Sequence, residues 1–157
     1  STRLNYMKKT DAKEEIPGKS RQAVENIYEY CRKNNAKLVL ISTPSTAYWN
    51  YKRHNSVAEL AESLGVEYVD MNLINDQVGI EWSTDTRDRG MHMNIYGARK
   101  CSAFLGAYLA KTEQFQDKRK DASYADWFDA LEAFNESTDN ALDRPSPEPE
   151  DNTKKAD

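Results

Sequence analysis

The chain has 157 residues, a net charge of -4 and a hydrophobic fraction of 38%, with a mean hydropathy of -0.90. That is a one-domain length with two polar ends, which leaves a folded part of about 110 residues. The acidic balance and dispersed Lys and Arg argue against nucleic acid, which rewards a basic face. No stretch reaches the ~20 apolar residues of a membrane span, and no signal peptide is visible.

Residues 1–19 read as an extended polar lead-in, punctuated by Pro17-Gly18. Residues 19–35 predict a helix, because Val24, Ile27, Tyr28 and Cys31 repeat at i, i+3, i+4 and i+7. Residues 37–43 (KLVLIST) form a short, β-branched apolar run, the signature of a buried parallel strand, and Pro44 ends it. A loop follows over 45–55, carrying the exposed-looking aromatics Tyr48 and Trp49. Residues 56–64 predict a second helix with Val57, Leu60, Ala61 and Leu64 on one face, Asn55 or Ser56 as its N-cap and Gly65 as its C-cap. His54 falls in the exposed loop before it. Residues 66–71 (VEYVDM) read as a second strand and 72–94 as mostly irregular. Residues 97–111 predict a third helix with Ala98, Cys101, Leu105, Tyr108 and Leu109 inward. A fourth, over 124–134, carries an aromatic stripe that reads as a packing face. The chain from 136 to 157 is acidic and Pro-rich and reads as disordered.

Strands alternating with helices imply a parallel sheet with crossover helices. Two strands make a poor sheet, so the pattern points to strands missing on the N-terminal side. The expected organisation is a lead-in (1–19), an α/β domain (20–111), an additional helix (112–135) and a tail (136–157).

The stretch that carries chemistry is Asp85-Thr-Arg-Asp88-Arg-Gly-Met-His92-Met-Asn94-Ile-Tyr-Gly97-Ala98. A carboxyl group shortly before a histidine, in a loop leading into a helix, presents both side chains to one cleft. Serine-based acyl transfer needs that pair: an imidazole to take the hydroxyl proton, and a carboxylate to fix the imidazole tautomer and stabilise the imidazolium. The pattern D-x-x-x-H-x-N-x-x-G-A resembles the C-terminal block of SGNH/GDSL hydrolases. The upstream run LVLISTPSTAYWNYKRHNSV followed by GVEYVDMN is similar to the strand–loop–helix–strand that precedes that block. The likeness covers about half the chain, in the right order.

The resemblance implies a flavodoxin-like three-layer α/β/α fold, incomplete at its N-terminal side. It implies His92 as general base and Asp88 as its orienting partner. Many family members place the Asp three residues before the His, whereas here it is four before, which leaves Asp85 as the fallback acid. The family's Gly-Asp-Ser motif and its oxyanion-hole blocks have no counterpart in the chain. Gly18-Lys19-Ser20 has no strand before it, and nothing in the family supports Ser42 or Ser45 as nucleophile. The implied activity is ester hydrolysis or acyl transfer on an acylated carbohydrate or cell-surface glycan, with this chain supplying the Asp/His part. A bacterial cell-surface or extracytoplasmic setting in a longer parent goes with it. The rival expectation is a degenerate, non-catalytic domain that binds a glycan or protein through the Tyr48-Trp49 loop.

The other candidates read as structural. Asn94 suits an N-cap and Gly97-Ala98 a close-packed helix start. Cys31 and Cys101 read as reduced, buried thiols. Two isolated histidines and two helical cysteines do not give metal-ligand spacing. Asp70, Asp76, Asp85 and Asp88 lack a calcium-loop pattern, and no Gly-rich phosphate loop occurs. No metal or cofactor is expected.

Overall fold

The computed structural model describes residues 5–113 and 115–142. The chain divides into two units, Ser1–Glu113 and Gln114–Asp157. The first is an α/β unit. Helix α1 (Gly18–Lys33) leads to strand β1 (Val39–Ser42), helix α2 (Tyr51–Leu64) and strand β2 (Glu67–Asp70). β1 and β2 pair in parallel with Val39 opposite Glu67 and Ser42 opposite Asp70, so α2 is the crossover the alternating pattern demands. A single helical turn, α3 (Asn75–Val78), is followed by a short antiparallel hairpin, β3 (Thr86–Arg87) with β4 (His92–Met93), and by helix α4 (Ile95–Thr112). The hairpin and α3 lie inside the span expected to be irregular. Two-residue strands carry too little alternation to be read from sequence.

The core sits between β2, α3 and α4. Met71, Val78, Ile80 and Cys101 are buried there, with Ile74, Trp82, Met93, Phe104 and Leu105 packed around them. Leu60 and Ala61 of α2 close against the sheet at 2% exposure each. α1 contributes no buried residue. Its expected inward face is only half covered, with Ile27 exposed and Cys31 partly so. Cys31 is therefore not the buried thiol expected, whereas Cys101 is; both are free. Among the described residues the parallel sheet has just two strands, too few to cover α1.

α2 begins at Tyr51, earlier than the apolar repeat suggests. Asn50, in extended backbone, is its N-cap and accepts from the Arg53 N–H at 3.0 Å. The first turn is polar, so hydrophobic periodicity does not register it. Asn55 and Ser56 lie inside the helix and strap the lead-in instead. The Asn55 amide donates to the carbonyls of Thr10 and Ala12 at 2.7 and 2.9 Å, and the Glu14 N–H donates to Ser56 Oγ at 3.0 Å. Gly65, in the left-handed region at φ 66°, caps the other end as expected.

The start of α4 is fixed by two contacts. Asn94 accepts from the N–H groups of Tyr96 and Gly97 at 2.9 and 3.2 Å, as an N-cap does. A Cβ on Gly97 would overlap the Asp85 carbonyl oxygen and Met93 Sδ. Asp85 itself is 2% exposed and accepts from the Glu81 N–H at 2.7 Å, Lys100 Nζ at 2.6 Å and Thr84 Oγ1 at 3.2 Å. Ala98, expected inward, faces outward.

In the second unit, a 3₁₀ turn over Ala122–Tyr124 runs into helix α5 (Ala125–Leu142). The helix passes the expected boundary at 135, so residues 136–142 are helical rather than part of a tail. The rest of the expected tail lies outside the described residues. Trp127, Leu131 and Phe134 of the aromatic stripe are exposed. Among the described residues no helix is long and apolar enough to cross a membrane.

Two outcomes follow from the contacts Asp85 makes with Gly97 and Lys100. Gly97→Ala forces α4 off the hairpin and costs about 1–3 kcal/mol in urea unfolding. Burial pushes the Asp85 carboxyl up, but Lys100 and the Glu81 N–H outweigh it and hold it below the usual range. The unfolded chain therefore takes up the proton first. Asp85's contribution is complete above the unfolded value of ~3.9 and lost as pH falls through the folded one. Lys100→Met should cost about 1–2 kcal/mol at pH 7, and the deficit against the wild type should close as pH falls through the lowered folded-state value of Asp85.

Candidate functional site

The hairpin positions His92 and Asp88. Arg87 pairs with His92, and the Gly90 N–H donates to the Arg87 carbonyl at 3.0 Å. Asp88 and Arg89 between them have φ of 53° and 59°, the paired positive angles of a type I′ turn. Asp tolerates this region; Arg does not do so routinely, and a left-handed non-glycine residue costs about 1–2 kcal/mol. The tight reversal carries the Asp88 carboxyl back over the strand, where Oδ2 accepts from His92 Nδ1 at 2.9 Å. The four-residue spacing is thus compatible with an Asp–His pair. Both side chains are more than half exposed, at 51% and 58%, so solvent screens the pair strongly.

The turn is held from outside by the loop after β1. The Thr46 N–H donates to the Gly90 carbonyl at 2.9 Å, Ser45 Oγ donates to the Met91 carbonyl at 2.8 Å, and Thr46 Oγ1 donates to that of Arg89 at 3.3 Å. Tyr48 lies against the imidazole, ring centres 5.6 Å apart. With Nδ1 engaged by Asp88, Nε2 is the nitrogen left for a proton in the neighbouring cleft. That cleft holds about 640 Å³; Ile41, Pro44, Tyr48, Met91 and Met93 form much of its apolar lining.

The serines lining the cleft are Ser42, Ser45 and Ser102. Ser45 Oγ is spent on the Met91 carbonyl and the Tyr48 N–H. Ser42 Oγ lies 2.9 Å from the Tyr68 hydroxyl, which itself donates to Asp70 at 3.1 Å, so Ser42 is the donor of that pair. Among the described residues no serine hydroxyl bonds to His92. Burial, then the nearby Asp85, pushes the Cys101 thiol up, which makes it a poor nucleophile. Asp85, the fallback acid, is committed to Lys100 and the Glu81 N–H at the foot of α4. It is a structural carboxylate, not a partner of His92.

A second Asp–His pair, which sequence reasoning missed, lies behind the loop. Asp70 ends β2 at 6% exposure. Its Oδ2 accepts from His54 Nδ1 at 2.8 Å, Trp49 Nε1 at 2.9 Å and the Tyr68 hydroxyl. Its Oδ1 accepts from the N–H and side-chain amide of Asn72 at 2.9 and 2.7 Å. Asn72 passes the constraint on: its Oδ1 accepts from the Ser45 N–H and the Tyr6 hydroxyl, both at 2.9 Å, and its amide donates to the Thr43 carbonyl at 3.1 Å. His54 is therefore not an exposed loop residue; it sits in the first turn of α2, 17% exposed, against Tyr51 and Tyr68. Trp49 is likewise anchored, which leaves Tyr48 as the exposed aromatic of the loop. Burial and the adjacent Asp70 push the Tyr6 hydroxyl well up. The sequence signal for this cluster was position: polar residues at the carboxyl ends of two parallel strands, where α/β sites gather.

Among the described residues no three His, Cys, Asp or Glu side chains converge as metal ligands would. The two Asp–His pairs differ sharply in energetics. Asp70→Ala strands several buried donors and should cost about 3–5 kcal/mol in urea unfolding, whereas Asp88→Ala should cost less than about 1 kcal/mol. Similar losses for the two variants would contradict this division between frame and site. No protein-family model, curated protein or solved structure matches the chain.

Proposed function

We propose that this chain is the acid–base part of an SGNH/GDSL-type ester hydrolase or acyl transferase acting on an acylated carbohydrate or cell-surface glycan. His92 is the general base and Asp88 the residue that orients it, within a flavodoxin-like α/β/α fold incomplete at its N-terminal side. The observation that carries the reading is the 2.9 Å contact between His92 Nδ1 and Asp88 Oδ2 at the rim of a cleft. In the reaction, His92 Nε2 takes the proton from a serine hydroxyl as it attacks the ester carbonyl, then returns it to the leaving alcohol. The apolar walls around Ile41 and the two methionines suit the acyl group. The nucleophile comes from sequence outside these 157 residues, and the element carrying it would also shield the exposed Asp–His pair from water.

The commitment of Ser42 and Ser45 to other partners favours a second reading, a degenerate domain that binds a glycan or protein partner across Tyr48 without chemistry. Fluorophosphonate labelling of the full gene product separates the two. The hydrolase reading expects a labelled serine outside this chain and a loss of about 10⁴–10⁶ in kcat for His92→Ala. It expects no labelling of the 157-residue chain alone. A folded full product that takes no label would overturn it in favour of binding.

A further inference from the structure

A second cleft, of about 510 Å³, opens where the lead-in crosses the start of α2. Lys8 and Lys9 come to it from the lead-in and Lys52 from the first turn of α2, together with Tyr6, Asn50 and Tyr51. All three lysines are exposed, and none forms an ion pair among the described residues. Among the described residues the carboxylate lining the cleft is Glu14, held by Arg53 Nε at 2.8 Å and by the Asn50 amide at 3.3 Å. Lys52 adds only a weaker attraction to it. Like charges spend free energy repelling one another when they converge without counter-charge. In a chain of net charge -4, this local excess of cations marks a place for an anion. The rings of Tyr6 and Tyr51 line the same cleft.

The position narrows the ligand. Tyr48 and Trp49 line the cleft of His92, and Asn50, Tyr51 and Lys52, next in the chain, line the basic one. A single loop therefore contributes to both clefts, and an extended polymer bound along it meets Tyr48 of the first and Tyr51 and Lys52 of the second. We propose that the basic cleft binds an anionic saccharide, with Lys8, Lys9 and Lys52 meeting its charged groups and Tyr51 packing on a sugar ring. The inference rests on the glycan-ester reading and deepens it, by giving the glycan a negative charge one or more residues from the ester.

The test is calorimetric titration of the folded chain with trigalacturonate, with glucose 6-phosphate and with neutral maltotriose. Binding of either charged sugar, in preference to maltotriose, is expected; which of the two binds tells carboxylate from phosphate recognition. The triple variant Lys8→Gln, Lys9→Gln, Lys52→Gln should weaken that binding about tenfold, as should 0.5 M salt in the wild type. Because these side chains are exposed, the variant should keep its fold, with circular dichroism as the check; Lys52→Glu alone should weaken binding in the same direction. Equal affinity for maltotriose, no binding of any of the three, or an unaltered triple variant would overturn the proposal. The assay reads no hydrolysis. Its failure is thus distinguishable from failure of the hydrolase reading, which shows in labelling.

Discussion

Asp70 is the buried side chain on which the arrangement of the first unit turns. Its two oxygens accept from Trp49, His54, Tyr68 and, twice, Asn72. A buried acidic side chain is tolerated only when its lone pairs are met, and here the donors come from three different stretches of chain. The loop after β1, the first turn of α2 and the segment after β2 are all indexed to one carboxyl group at a strand end. Asn72 extends that reference to Ser45, Thr43 and the lead-in residue Tyr6.

That frame sets the geometry of the candidate site, and its Trp49 also lines the His92 cleft. The loop held by Trp49 and Asn72 presents Ser45 and Thr46 to the carbonyls of the hairpin turn. The turn contains two non-glycine residues at positive φ, a conformation that persists only where its surroundings over-determine it. The clamp from Ser45 and Thr46 on one side, and the Asp85–Gly97 contact at the foot of α4 on the other, supply that. Strain and clamp together bring Asp88 over His92. The Asp–His pair itself stays open to water and adds little to stability, as a pair kept for chemistry or binding can.

The division of labour among the carboxylates follows from burial. Asp70 and Asp85 are enclosed and saturated with donors, so each serves the fold. Asp88 is exposed, has the imidazole beside it, and faces solvent on its other side. The lysines of the basic cleft differ from Lys100 in the same way: Lys100 is spent on a buried carboxylate, whereas Lys8, Lys9 and Lys52 have no such partner among the described residues.

The sequence by itself determined the order of α1, β1, α2, β2 and α4, because apolar runs, Gly65 and the Asn94 cap are local signals that need no tertiary partner. It also determined the Asp88–His92 neighbourhood, since both residues lie in one short loop. Only the tertiary structure decided which carboxylate faces His92, because Asp85 and Asp88 differ in burial and turn geometry rather than in residue type. The Asp70 cluster was decided there too: its donors are scattered over positions 49 to 72, and hydrogen bonds between distant segments leave no periodicity to read. The early start of α2 was hidden for a related reason, since its first turn is polar and is held by a cap and by contacts to the lead-in rather than by an apolar face.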